Sequence, residues 1–247
     1  MVSAVRSALV IGIFVICSPA VASSTDDPGN LNKIYSPWIE GDTLYIKGTI
    51  DSHIYDYLAM QAADVAKVRV IDLNSFGGNS EWAMNIAKKI INLDKDTRLG
   101  SGHVCASACV FLYAAGKRRI AAADTWIGIH GVRLGAGFTT TFEGVCFTEL
   151  ETGSAFMPTK KGCADFVDHW YDVAKKATDD AFNLMESNGV SSSLRQTYYS
   201  MPEDPNWPQA MNVIRKPDRP LSSVDALKYN LVTELTDSAP QVSAWAP

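Results

Sequence analysis

Three times between residues 43 and 116 a β-rich apolar run gives way, across a short polar turn, to a run with helical spacing. Thr43 to Ile50 alternates and reads as a strand, and Asp51 or Ser52 can cap a helix from about His53 to Ala66. Val68 to Asn74 reads as a mostly buried strand. It runs through Ser75-Phe76-Gly77-Gly78-Asn79 into a helix with Trp82, Ile86, Ala87, Ile90 and Ile91 near helical spacing. Thr97 to Gly102 is a third strand, followed by the small-residue knot Val104 to Val110 and an apolar run to Ala115. Gly116 ends that helix, and Lys117-Arg118-Arg119 suits its C-terminus. Ile120 to Ala123 and Thr125 to Ile129 read as short strands, the second delivering His130. Such alternation predicts an α/β fold with parallel crossover units, whose chemistry sits at the C-terminal ends of strands.

The rest of the chain is less regular. Val132 to Gly162 is Gly/Thr-rich and reads as an insertion, spanning 131–164 at most, that forms a hairpin or lid. Asp165 to Ser187 reads as an amphipathic helix carrying Phe166, Trp170, Val173, Ala177, Phe182 and Met185, closed by Asn188-Gly189. Ser191 to Tyr199 reads as a short helix, Met201 to Pro220 as irregular, and Pro220 to Val232 as a capped short helix before the chain end. Residues 41–236 are expected to form one domain, between a flexible lead-in over 23–40 and a disordered tail over 237–247.

The N-terminus reads as a secretory signal. Arg6 supplies the positive end, Ala8 to Cys17 is too short for a comfortable span, and Ala20-Val21-Ala22 offers a cleavage site. Cleavage after Ala22 and a periplasmic location are therefore expected, with an uncleaved anchor as the alternative. The net charge of −5, with scattered Lys and Arg, offers no footprint for nucleic acid.

Cleavage would leave Cys105, Cys109, Cys146 and Cys163. An even count in an exported chain suggests disulfides, with three pairings open. Cys146 and Cys163 bracket one loop and are natural partners, which leaves Cys105 to pair with Cys109. Zinc is disfavoured because the spacings lack a CxxC pair and no histidine accompanies them. No metal and no cofactor are expected.

Ser107 stands where the apolar run would begin as a helix. It is either an N-cap or a nucleophile, since backbone N–H groups there suit a developing anion.

Asn74-Ser75-Phe76-Gly77-Gly78, Cys105-Ala106-Ser107-Ala108-Cys109, Ala114-Ala115-Gly116-Lys117-Arg118 and Ile127-Gly128-Ile129-His130 together resemble the Clp protease proteolytic subunit family (ClpP), in order and rough spacing. Residues 42–130 carry the resemblance well and 165–235 loosely; Phe76 stands where the family has proline. The resemblance implies a ClpP/crotonase-like superhelix of ββα units and a serine peptidase. Ser107 would be the nucleophile, His130 the general base, and the N–H groups of Gly77 or Gly78 and of Ala108 the oxyanion hole. The third triad position falls near Tyr198; Glu203 and Asp204 are the nearest acids downstream and Asp204 is the candidate, beside a Ser–His dyad or a histidine oriented by a backbone carbonyl or hydroxyl. His103 is the alternative base and Lys117 the partner of a Ser–Lys reading. The substrate would be a peptide or unfolded protein, with self-association into an oligomer, and without an ATPase partner. A catalytically inactive binding scaffold is the rival reading, and an acyl-CoA enzyme of the crotonase class a more distant one.

Overall fold

The computed structural model of the chain describes residues 30–132, 160–200 and 219–236. In chain order the strands are β1 (Trp38–Glu40), β2 (Thr43–Lys47), β3 (Val70–Asn74), β4 (Asp96–Leu99), β5 (Val104–Ala106), β6 (Arg119–Ala122), β7 (Trp126–Ile129), β8 (Arg219–Ser222) and β9 (Glu234–Thr236). The helices are α1 (Ser52–Met60), α2 (Ala62–Val65), α3 (Ser80–Leu93), α4 (Ala108–Ala114), α5 (Lys160–Ser187), α6 (Ser192–Tyr199) and α7 (Ser223–Leu227).

The architecture is mixed α/β. One sheet has the order β1-β2-β3-β4-β6-β9, and a smaller one the order β5-β7-β8. In the larger sheet β2, β3, β4, β6 and β9 pair in parallel, and β1 is an antiparallel edge on β2. In the smaller sheet β5 and β7 are parallel and β8 is antiparallel. β3 is the seam. Val70 to Asp72 pair with β4, whereas Ser75, just past its end, bridges to Cys105 of β5.

Local chemistry explains the helix starts. Asp51 caps α1 by accepting from His53 N–H at 2.9 Å, and Asn79 caps α3 by accepting from Trp82 N–H at 3.0 Å. The helix expected over 53–66 is broken at Gln61 into α1 and α2. Packing then selects the buried faces. α3 buries Ala83, Ile86, Ala87 and Ile90, and α4 is buried over all seven of its residues. A helix apolar all round belongs in the centre of a core. Each fully buried Leu or Ile there contributes about 1.5–3 kcal/mol of transfer free energy.

Three expectations change. The lead-in is shorter than 23–40, because Trp38–Glu40 is β1 and Lys33 O accepts from Thr49 N–H at 2.8 Å. The segment after Pro220 is not helix alone, since β8 precedes α7 and β9 follows it. The buried stripe of α5 runs through Ala174, Thr178, Ala181, Phe182 and Met185, while Val173 is exposed. Thr178 can sit in that stripe because its hydroxyl donates to Ala174 O at 2.8 Å and accepts from Val132 N–H at 2.9 Å. Among the described residues no helix is long and apolar enough to cross a membrane. The signal over 1–22, the tail over 237–247 and most of the 131–164 insertion lie outside the described residues.

One buried cation ties the last elements down. Arg119, 3% exposed, donates to Gly116 O, Asn188 O, Asn230 O and Leu231 O at 2.9–3.2 Å. Those carbonyls follow the ends of α4, α5 and α7, where unpaired acceptors and negative dipole ends collect. Burial holds the guanidinium pKa below its ordinary range.

Candidate active site

The elbow between β5 and α4 is built from small residues under tension. Ser107 adopts φ 56 and ψ −128, a region costly for a non-glycine residue. Its N–H donates to Gly128 O at 2.8 Å, and its carbonyl accepts from Val110 N–H at 2.9 Å. Although Ser107 is the N-cap residue of α4, its side chain makes no capping hydrogen bond. The hydroxyl is thus not spent on the helix, and the residue is half-buried. Cys105 and Cys109 are joined by a disulfide with Cα atoms 5.2 Å apart. The pairing of Cys146 with Cys163 lies outside what the structure describes.

The diglycine turn lies directly against this elbow. At Gly77, φ is 104, and a Cβ there would lie 2.6 Å from Ser107 Cβ and 2.9 Å from Ala108 N. Only glycine meets both demands. The Gly77 N–H donates to the buried Ser75 Oγ at 2.9 Å, and Ser75 Oγ donates to Gly48 O at 2.5 Å. That removes Gly77 from the candidate oxyanion donors. Ile50 N–H donates to Gly77 O and Asn79 N–H to Ile50 O, a ladder that bypasses the Gly78 N–H. Among the described residues neither the Gly78 N–H nor the Ala108 N–H has an acceptor. These two remain as candidate donors for an oxyanion.

β7 brings His130 to the same place. Ser107 and His130 line one small cavity of about 10 Å³ with Val110, Phe111, Phe182 and Met185 among its other walls. The His130 ring is half-buried, and Nδ1 lies 2.6 Å from Gly131 O. A carbonyl only accepts, so Nδ1 donates in that contact, and a neutral ring would then carry its basic lone pair on Nε2. Gly131 O is a backbone carbonyl placed as a candidate orienter, one of the alternatives to an acidic third member; Asp204 lies outside the described residues. Val132 is in turn fastened to α5 through Thr178, a positioning contact that reading the sequence for catalytic side chains passed over.

The other candidates stand elsewhere. His103 Nδ1 lies 2.9 Å from Leu73 O and 3.2 Å from the buried Asp72 carboxylate, which also accepts from Arg98 Nε at 2.6 Å. The cavity beside Ser107 is lined by other residues. Lys117 is an exposed residue paired with Asp94 at 2.6 Å, and that hydrogen bond and charge hold its ammonium above the ordinary range. A lysine acting as a base needs the opposite shift. Tyr198, where the resemblance would put the third triad position, is buried with its ring 5.4 Å from that of Phe182. Among the described residues no group of three or more His, Cys, Asp or Glu side chains could hold a metal ion. No protein-family model matches the chain, and no curated protein matches it.

Proposed function

We propose that the protein is an exported serine hydrolase that cleaves peptide bonds through a Ser107 acyl-enzyme, on a ClpP/crotonase-like superhelix. The observation that carries this reading is the elbow. Among the described residues it holds a serine at positive φ whose hydroxyl makes no capping bond, next to two backbone N–H groups without an acceptor and beside a histidine on one cavity. Ser107 Oγ attacks the peptide carbonyl carbon while His130 Nε2 takes its proton. Charge develops on the carbonyl oxygen, where the Gly78 and Ala108 N–H groups can receive it. Each such donor is worth about 2.7–4 kcal/mol in comparable sites. Collapse breaks the C–N bond, and the leaving amine takes the proton from His130. Water, deprotonated by the same imidazole, then releases the acyl group. With Gly131 O as orienter, the dyad would keep its tautomer without a carboxylate.

The test is fluorophosphonate labelling of the purified protein followed by peptide mapping. Label at Ser107 in the wild type, lost in Ser107→Ala and reduced at least about 100-fold in His130→Ala, is the expected result. One observation favours the rival reading of an inactive scaffold: a cavity of about 10 Å³ admits little more than a water. Folded, oxidised protein that never reacts with the probe would establish that reading instead.

A further inference from the structure

The Ser107 elbow is closed covalently as well as by hydrogen bonds. Cys105 lies in β5 and Cys109 in the first turn of α4, four residues apart, with Ser107 midway between them. Both half-cystines are 0% exposed. Hydrogen bonds anchor the strand side of the elbow, where Ala106 N–H donates to Ser75 O at 3.0 Å and Ser107 N–H to Gly128 O at 2.8 Å. The bridge ties the first turn of α4 back onto that anchored strand. Without it, a non-glycine residue at φ 56 has a lower-energy conformation available at negative φ.

We propose that Cys105–Cys109 is a positioning element for Ser107, so that the elbow holds its reactive geometry in the oxidised protein and is latent while both thiols are reduced. The latency rests on the reading of Ser107 as a nucleophile; the positioning does not. Closure is a thiol–disulfide exchange. One cysteine thiolate attacks an incoming disulfide, from a small molecule or an oxidoreductase, and forms a mixed disulfide. That attack releases one sulfur of the carrier as a thiolate, and the second cysteine thiolate displaces the other, so the two electrons leave on the carrier, as one dithiol from an oxidoreductase or as two thiols from a small molecule. With both sulfurs buried, a reductant does not reach the closed bridge in the folded protein. The device is a latch set during folding and not a reversible switch.

The test compares the full chain, refolded with oxidised glutathione, with Cys105→Ala/Cys109→Ala. Three things are measured: thermal unfolding, hydrogen exchange of the Ser107 amide, and fluorophosphonate labelling at Ser107. The double variant is expected to melt cooperatively, exchange the Ser107 amide at least tenfold faster, and label at least tenfold more slowly. A bridge that merely stabilises would lower the melting temperature and leave exchange and labelling per folded molecule unchanged, and that result overturns the proposal. Should the double variant not fold, partially oxidised wild type decides: thiol trapping should find the label confined to oxidised molecules. Equal labelling of reduced, folded molecules overturns the proposal. If oxidised wild type never labels, the nucleophile reading fails by itself, and faster or equal Ser107 exchange in reduced wild type still decides the positioning role.

Discussion

Gly77 is the residue on which the elbow depends most directly. Its backbone passes so close to Ser107 that an added methyl group would meet Ser107 Cβ at 2.6 Å and Ala108 N at 2.9 Å, at a φ of 104. Gly77→Ala is expected to cost about 1–3 kcal/mol in a denaturant titration and to remove fluorophosphonate labelling. An unchanged labelling rate would mean that the turn and the elbow are independent. Much of this is legible in the sequence. Small residues around one serine and a pair of glycines after a strand are backbone demands written directly as residue types. The division of labour within the turn was not visible. Ser75 Oγ takes the Gly77 N–H, and nothing in a run of residues says which of two adjacent amides a side-chain oxygen will claim. That a backbone carbonyl could orient the histidine is legible in the sequence, but not that Gly131 O is the one in contact, because a backbone acceptor leaves no residue-type signature.

Arg119 shows what an element-level contact can do. It gathers four carbonyls at the ends of three helices while 3% exposed. Arg119→Met would take that donor from the Asn188, Asn230 and Leu231 carbonyls and leave Gly116 O only its bond from Asn188 Nδ2, and should cost about 3 kcal/mol, read as a drop in the urea midpoint. Arg119→Lys should recover part of that, since one ammonium cannot span all four acceptors. If both variants melt like the wild type, the guanidinium is not the tie described. The basic run after Gly116 had marked a helix end, so the kind of contact was readable, though its reach across some 110 residues to Leu231 was not. The same limit applied to β1, β8 and β9. At three or four residues each they are too short to show alternation, and their pairing partners fix them as strands. On α5 the apolar side chains suggested one stripe, but the helix turned Thr178 inward because its hydroxyl found two partners there.

Among the described residues Asp42, Asp96 and Asp179 have carboxyl pKa values below the ordinary one, and of these Asp96 and Asp179 are half-buried. Burial pushes the Asp96 carboxyl up, but hydrogen bonds from the Arg118 side chain and backbone outweigh it and leave the pKa below the ordinary value. Burial likewise raises Asp179, and hydrogen bonds from Lys175 and Tyr199 carry it lower on balance. A depressed folded pKa means that the unfolded chain binds more protons as the pH falls. The stability these groups add is therefore complete above the unfolded value, about 3.9, and is lost as the pH drops through the folded values. The urea midpoint should be flat from pH 7 to about 5 and fall below about pH 4, with a shallower fall in Asp179→Asn. A midpoint constant down to pH 3 would refute this.

The carbonyls around Arg119 also carry a consequence in time. A ribosome that has delivered residue 130 has already made Ser107, His130 and both glycines of the turn. Two of the four acceptors for Arg119, on Asn230 and Leu231, and the strand that covers β6 come about 100 residues later. Until they arrive, the guanidinium has no reason to leave water and the edge of β6 stays open. A chain released after Lys228 is expected to hold the whole candidate site in its sequence and yet be digested by pulse proteolysis as an unfolded chain. Folding of this protein is then an event of the completed polypeptide, and its serine stays unassembled throughout synthesis.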